Sequence, residues 1–137
     1  MLEEKDVTIM AITSVRFTSQ TGGDDKDHDT GVFIRILTAD QKTLIASIDN
    51  ADNCNNCHYD DHTTHSFNVN VNSPALTKSD CAGFVYFVGS RANGNDNWDL
   101  DGTSIDIVFD NRDDLTKSSG GFSLNSRGSA LVWAGPF

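Results

Sequence analysis

Apolar and polar residues alternate along short stretches of this chain, which is the pattern of half-buried β-strands. Within residues 65–71, Phe67, Val69 and Val71 fall on one side of an extended chain, and the asparagines between them fall on the other. Similar runs, rich in Val, Ile, Phe and Thr, occupy residues 7–18, 30–39, 43–49, 65–71, 82–90, 103–110 and 129–135. No stretch keeps the 3.6-residue period of a helix over ten residues, so each run predicts a strand.

The segments between these runs are rich in Gly, Asn, Asp and Ser, which is typical of turns and loops. They occupy residues 21–29, 39–42, 50–64, 72–80, 91–97, 110–114 and 117–121. A chain of 137 residues has the length of one domain, and no linker or internal repeat interrupts it. The pattern therefore predicts a single domain over residues 1–137, an all-β, two-sheet antiparallel β-sandwich of about eight strands.

Most aromatic residues of so small a sandwich are expected in its core. We expect core positions for Phe33, Phe67, Phe84, Tyr86, Trp98 and Phe109. Tyr59, Phe122 and Phe137 lie in or near loops and the C-terminal tail, where an exposed ring can stack on a sugar or enter a membrane interface. Trp133 belongs with these candidate platform rings, but it lies in ALVWAG (residues 130–135), a run typical of a buried last strand, which favours the core for it.

The charge of the chain narrows the classes of partner. Lys and Arg together number 10 against 20 Asp and Glu, which gives a net charge of −10. Such a surface repels phosphate backbones and anionic membranes, so nucleic acid is not an expected partner. Divalent metal ions are the natural partners of surplus carboxylates, because they take oxygen ligands and cancel the mutual repulsion.

The sequence contains no run of 18 apolar residues, so no transmembrane segment is predicted. No charged-then-apolar leader is visible at the start, MLEEKDVTIM. Two compartments stay open: the cytoplasm if the protein works where it is made, and the secreted or extracellular space if a leader has been removed.

The segment DNCNNCHYDDHTTH (residues 52–65) contains C-x-x-C-H, the haem-attachment pattern, but it lacks the apolar surroundings that a haem requires. We therefore expect no haem. A zinc site would draw on Cys54, Cys57, His58, His62 and His65, which exceed the four ligands of a closed tetrahedral site. A disulfide within the C-x-x-C pair, a bridge from one of the pair to Cys81, or three reduced thiols are the structural alternatives.

Two other loops concentrate oxygen ligands and are candidate calcium sites. The first, GGDDKDHDTG (residues 22–31), contributes Asp24, Asp25, Asp27 and Asp29, and the second, NGNDNWDLDG (residues 93–102), contributes Asp96, Asn97, Asp99 and Asp101. The second loop matches the start of an EF-hand, but its twelfth position is Val108 instead of Glu. Trp98 and Leu100 more simply alternate with acidic residues as the inward positions of a strand.

The two segments TGGDDKDHDTGVFIRILTADQKTLIASI and NDNWDLDGTSIDIVF together resemble PLAT-like β-sandwich domains, with a similarity that spans about residues 6 to 111. The resemblance extends to bacterial relatives that carry an acidic Thr-Gly-Asp-Asp loop before a strand and an Asp-Asn-Trp segment at a late one. It implies an eight-stranded antiparallel sandwich whose loops at one end bind calcium and then a carbohydrate, a lipid headgroup or a protein. The calcium candidates that the resemblance implies are Asp24, Asp25, Asp27, Asp29, Asp96 and Asp99.

The sequence gives no sign of an enzyme, since Gly-x-Ser-x-Gly, a phosphate-binding glycine loop and H-E-x-x-H are all missing. We therefore expect a non-catalytic, calcium-supported and lectin-like binding module, whose partner classes include a second copy of the chain in a homo-oligomer. The alternative function is a secreted effector or membrane-active toxin component on the same scaffold. A hydrolase acting through a loop histidine is a third and weaker hypothesis.

Overall fold

The computed structural model describes residues 11–27, 30–49 and 58–137. Within these ranges the chain is almost entirely antiparallel β-structure with one short helix. The strands are β1 (Ile12–Thr21), β2 (Gly31–Leu37), β3 (Leu44–Ile48), β4 (Thr64–Val71), β5 (Val85–Arg91), β6 (Asn95–Phe109), β7 (Asp114–Ser119), β8 (Phe122–Arg127) and β9 (Val132–Ala134), and the helix is α1 (Lys78–Cys81). The all-β prediction is confirmed.

The strands form one continuous hydrogen-bonded path, in the order β7-β6-β1-β4-β3-β2-β5-β9. β8 lies off this path and pairs with the first half of β6, while β7 pairs with its second half. The register of the two ladders is continuous from Ser119 opposite Thr103 to Phe122 opposite Leu100. β7 and β8 therefore act as one bent strand along β6, interrupted at Gly120 and Gly121.

The sheet curls around its apolar face. Buried side chains from both ends of the path form the core, including Val15, Phe17, Ile34, Ile36, Tyr86, Val88, Trp98, Ile105 and Ile107. The Tyr86 hydroxyl on β5 reaches β6, where it lies 2.8 Å from the Thr103 hydroxyl and donates to the Thr103 carbonyl at 3.2 Å. Ser90 on β5 and Ser126 on β8 are joined by a hydroxyl contact of 2.6 Å.

Two strands were not predicted, and one begins earlier than expected. β6 starts at Asn95, inside a segment predicted as a loop, and its inward residues Trp98 and Leu100 are buried as the alternation indicated. β7 and β8 occupy the region after residue 114, where β7 alternates Leu115, Lys117 and Ser119 at its half-buried positions. Two polar residues in three give no hydrophobic period, so the sequence pattern does not reveal this strand.

The prediction that Trp133 lies in the core is wrong, because 40% of its surface is exposed. β9 is an edge strand of three residues, and its central residue projects from the outer face of the sheet. The indole lies on Gly89, where a Cβ atom would come within 2.8 Å of the ring. With Arg35, Leu37, Leu44 and Phe87, Trp133 lines an outer groove of about 360 Å³.

The other aromatic predictions have mixed outcomes. Phe33, Phe84, Tyr86, Trp98 and Phe109 are buried as expected, although Phe33 faces outward beneath the Trp133 ring and the Arg91 guanidinium. Phe67 is half-buried against Phe17, with ring centroids 5.2 Å apart. The expectation of exposed loop rings is wrong for Tyr59, which is 7% exposed, and Phe122 packs on Phe137 at 4.9 Å.

Among the described residues, no helix has the length and apolar character needed to span a membrane.

Removing the hydroxyl in Tyr86→Phe is expected to lower the free energy of unfolding by about 1 kcal/mol, because a buried hydrogen bond between strands is lost. The control is Thr13→Ala, which removes an exposed hydroxyl bonded to the Val108 carbonyl and should cost less than about 0.5 kcal/mol. Urea unfolding of both variants measures the difference. Equal losses would contradict a special role for the buried bond.

Candidate functional site

The candidate site is the acidic loop end, defined as residues 22–27, 58–61 and 96–101. The first segment is fastened to the start of β6 through the backbone. Gly22 N–H donates to the Asp99 carbonyl at 2.8 Å, and Asp99 N–H donates to the Asp24 carbonyl at 3.0 Å. These bonds hold the two acidic segments predicted from the sequence side by side.

A buried lysine lies inside this acidic end. Lys26 has no exposed surface, and its ammonium donates to the carbonyls of Asp27 and Thr30, both at 3.0 Å. The same ammonium lies 4.5 Å from the centre of the Tyr59 ring. A buried charge is tolerated only when it is paired and hydrogen-bonded. The fold therefore provides its own cation here, ligated by main-chain oxygens and an aromatic face.

Tyr59 connects this lysine to the core. The backbones of Lys26 and Tyr59 exchange two hydrogen bonds of 3.0 and 3.1 Å. The Tyr59 ring stacks on His65 at 4.0 Å and meets Trp98 edge-on at 5.7 Å. Trp98 in turn donates its indole N–H to the Thr21 hydroxyl at 3.0 Å. The acidic end is thus supported by a row of packed rings.

The two late-loop calcium candidates are engaged in structural hydrogen bonds. Asp96 is buried, and its Oδ2 accepts from the Thr30 hydroxyl at 2.7 Å and from Asp27 N–H at 3.1 Å. Asp99 Oδ1 accepts from the Ser123 hydroxyl at 2.5 Å. Asp96 therefore holds Asp27 and Thr30 close to the start of β6, and Asp99 ties this end of the fold to β8.

The first-loop candidates Asp24 and Asp25 have more exposed carboxylates. Partial burial, followed by the charges of Asp99, Asp25, Asp96 and Asp61, raises the pKa of Asp24. This direction indicates that carboxylates of all three segments lie close enough to repel the ionised form of Asp24. Additional positive charge near Asp24 would relieve that repulsion.

Asp25 pairs with an imidazole. His58 Nε2 lies 2.5 Å from Asp25 Oδ2 and 3.5 Å from an oxygen of Asp60. The hydrogen bond to Asp25 is the main cause that raises the pKa of His58. One zinc candidate is thereby joined to one calcium candidate as an ion pair.

The structure does not bring the described zinc candidates together as a ligand set. His58 pairs with Asp25, His62 is exposed with φ of 58°, and His65 stacks on Tyr59. Cys54 and Cys57, and the calcium candidate Asp29, lie outside the described residues. Over the ranges that are described, no group of three or more His, Cys, Asp or Glu residues is arranged to hold a metal ion.

Cys81 is a free, buried cysteine at the end of α1. The bridge from the C-x-x-C pair to Cys81, one of the alternatives left open by the sequence, is therefore not formed. Burial raises the pKa of the Cys81 thiol to about 11. The group is a neutral thiol near neutral pH and packs as part of the core.

Sequence reasoning missed Lys26 and Tyr59 as parts of the site. A lysine among four aspartates is expected to be exposed to solvent, and Tyr59 follows a polar Cys/His segment that predicts a loop. The sequence did contain one signal for Lys26: it is the only Lys or Arg between Arg16 and Arg35, in a segment that carries several aspartates.

Comparisons with known proteins do not place the chain in a family. No protein-family model matches it, and a search of curated proteins gives no match. The PLAT-like resemblance therefore stays a prediction.

Replacing the buried ammonium in Lys26→Met is expected to lower the free energy of unfolding by about 2–4 kcal/mol, because the Asp27 and Thr30 carbonyls lose a charged donor. Lys42→Met is the control, since Lys42 is exposed and its replacement should change stability by less than about 0.5 kcal/mol. Thermal and urea unfolding measure both effects. A stable Lys26→Met protein would show that the loop does not depend on this cation.

The His58 pair predicts a specific titration. By NMR, the pKa of His58 should lie above its ordinary value of 6.5, and Asp25→Asn should bring it back towards that value. Because the folded-state pKa is raised, the contribution of this pair to stability is fully present below pH 6.5 and is lost as the pH rises through the folded-state pKa. His62 is the internal comparison, and an unchanged His58 titration in Asp25→Asn would contradict the pair.

Proposed function

We propose that this protein is a non-catalytic binding module, a PLAT-like two-sheet β-sandwich whose acidic loop end binds calcium and then engages a ligand. The observation that carries the proposal is the surplus of carboxylates around Asp24. Partial burial raises the pKa of Asp24 most, and the charges of Asp99, Asp25, Asp96 and Asp61 raise it further. A divalent cation is the partner that cancels such repulsion most effectively.

The oxygen atoms that the site offers are of the types that calcium binds. Calcium takes six to eight oxygen ligands and accepts carboxylates, main-chain carbonyls and water in flexible geometry. Asp24 and Asp25 are the side chains expected to hold it, because Asp96 and Asp99 already accept hydrogen bonds from hydroxyl groups. Asp25 would exchange its His58 partner for the ion. Since no three-carboxylate group is assembled in the described ranges, carbonyl oxygens and water are expected to complete the set.

The non-catalytic part of the proposal is supported by the histidine contacts. The Thr63 hydroxyl lies 3.1 Å from His65 Nε2, a distance that a base and a nucleophile would also show. However, this hydroxyl donates its single proton to the Asp60 carbonyl at 2.6 Å. The hydroxyl proton is therefore directed to the Asp60 carbonyl, and this pair lacks the hydrogen bond from nucleophile to base.

Calcium addition is expected to stabilise the protein, by about 2.7 kcal/mol at a free concentration one hundred times the dissociation constant. Asp24→Asn should weaken calcium binding by about tenfold or more, because one charged ligand is lost. Asp110→Asn is the matched control, since Asp110 is exposed in the turn between β6 and β7. Titration calorimetry and thermal melts with calcium and with a chelator measure these effects.

A calcium-bound protein should also show a lower pKa for Asp24 by carbon-detected NMR, because the cation favours the ionised carboxylate. Elemental mass spectrometry on protein purified without a histidine tag identifies any resident metal. Failure of calcium to bind, or equal binding by wild type and Asp24→Asn, would reject the calcium proposal. Zinc at one ion per chain would redirect attention to the Cys/His segment.

A further inference from the structure

A second surface lies beside the acidic loop end and differs from it in chemistry. It is a half-enclosed cleft of about 230 Å³ on the outer face of β1, β6 and β7. Its lining residues are Thr18, Gln20, Asp101, Gly102, Thr103, Ser104, Ser118 and Ser119. Thr18, Ser104 and Ser118 stand opposite one another across the three strands, so their hydroxyls form a transverse row. We call this surface the hydroxyl cleft.

The backbone opens the cleft at a β-bulge. Gln20 pairs with Gly102 and Thr21 pairs with Leu100, so Asp101 is the extra residue of β6. A bulge of this kind redirects side chains, and bulges are enriched at functional sites. Gly102 lies at the floor, where a Cβ atom would be 3.1 Å from the Ser119 carbonyl oxygen and 3.6 Å from Gln20 Oε1. The missing side chain therefore creates the depression.

The polar groups around this floor are available for a ligand. Thr18 is bonded to Ser66, and Ser119 is bonded to Thr103. By contrast, the side chains of Gln20, Asp101, Ser104 and Ser118 make no hydrogen bond to any part of the chain that the structure describes. They offer two hydroxyls, one carboxamide and one carboxylate, a set that both donates and accepts but contains no cation.

We propose that the hydroxyl cleft binds one sugar ring of a neutral oligosaccharide. A polyhydroxylated ring matches a mixed set of donors and acceptors, because each of its hydroxyls can donate and accept. A phosphate or anionic lipid headgroup is disfavoured by the Asp101 carboxylate and by the net charge of −10. A peptide strand cannot add to β1 or β6, because each of them is already paired on both sides.

This inference rests on the proposed binding function and names its ligand class, but it uses residues outside the calcium candidates. The two surfaces meet at Asp101, whose Oδ1 lies 2.7 Å from the position of a Cβ on Gly22. Because the saccharide contacts come from protein side chains, binding is expected to persist in the presence of a chelator. Calcium uptake and saccharide binding can therefore succeed or fail separately.

The test uses the full chain and a panel of neutral tetrasaccharides: α- and β-linked glucose, and β-linked xylose, mannose, galactose and N-acetylglucosamine. Nitrogen–proton NMR spectra are recorded during titration with and without chelator. At least one member should shift the amide signals of Gly102 and Ser104. Gln20→Ala and Asp101→Ala should each weaken binding about three- to tenfold, the effect of one lost hydrogen bond.

Two control variants locate the effect. Asn70→Ala removes an exposed amide from β4, and Trp133→Ala removes the exposed ring of the outer groove. Both should bind the saccharide as the wild type does. Dissociation constants weaker than about 10 mM for every panel member would overturn the inference. Loss of binding in Trp133→Ala with retention in Gln20→Ala would also overturn it, because the sugar would then occupy the groove.

Discussion

The buried ammonium of Lys26 is the interaction on which the acidic end depends. Eight aspartates of the described chain lie in or next to the loops at this end: Asp24, Asp25, Asp27, Asp60, Asp61, Asp96, Asp99 and Asp101. Without an internal cation, the bonds from Asp27 N–H and the Thr30 hydroxyl to Asp96 would hold a buried carboxylate among further negative charges. The ammonium donates to the main-chain carbonyls of Asp27 and Thr30, and the carboxylates of Asp24 and Asp25 stay partly exposed. The acidic loop end can therefore be held together by hydrogen bonds of the protein itself and still attract a further cation.

The same lysine explains why aromatic residues surround a polar site. The Tyr59 ring faces the ammonium, Trp98 supports the ring, and the indole N–H is satisfied by Thr21. A charge buried away from water is costly unless it is hydrogen-bonded and its polar neighbours are paired as well. The acidic surface and the apolar core are thus connected through Lys26, Tyr59 and Trp98. A rigid acidic surface of this kind loses less conformational entropy when it binds a partner than a loose loop would.

The sequence predicts those strands in which apolar residues alternate with polar ones and the apolar side chains are the buried ones. The bounds of β2, β4 and β5 were predicted to within a few residues. The alternation at Trp98 and Leu100 also correctly predicted which side of β6 faces the core. β7 was missed because Lys117 and Ser119 occupy its inward positions, and Trp133 was misplaced because Gly89 opposite it allows a ring to lie on the outer face. For the site, the aspartates identified two acidic segments, and the PLAT-like resemblance implied that such loops share one end of the fold; the backbones of Asp24 and Asp99 do lie together. It could not predict Lys26, because burial of a charge depends on contacts between distant segments.

The position of β4 has a consequence for the whole molecule. β4 pairs with β1 through residues 64–69 and then with β3 through residues 70 and 71, so the hydrogen-bonded network passes from one half of the curled sheet to the other without a break. A sandwich with two separate sheets can slide or open along the plane between them. Here such movement is restrained by a strand shared by both halves. Mechanical load or local opening at one end is therefore transmitted along β4, and the two halves are expected to lose their structure in a single cooperative step.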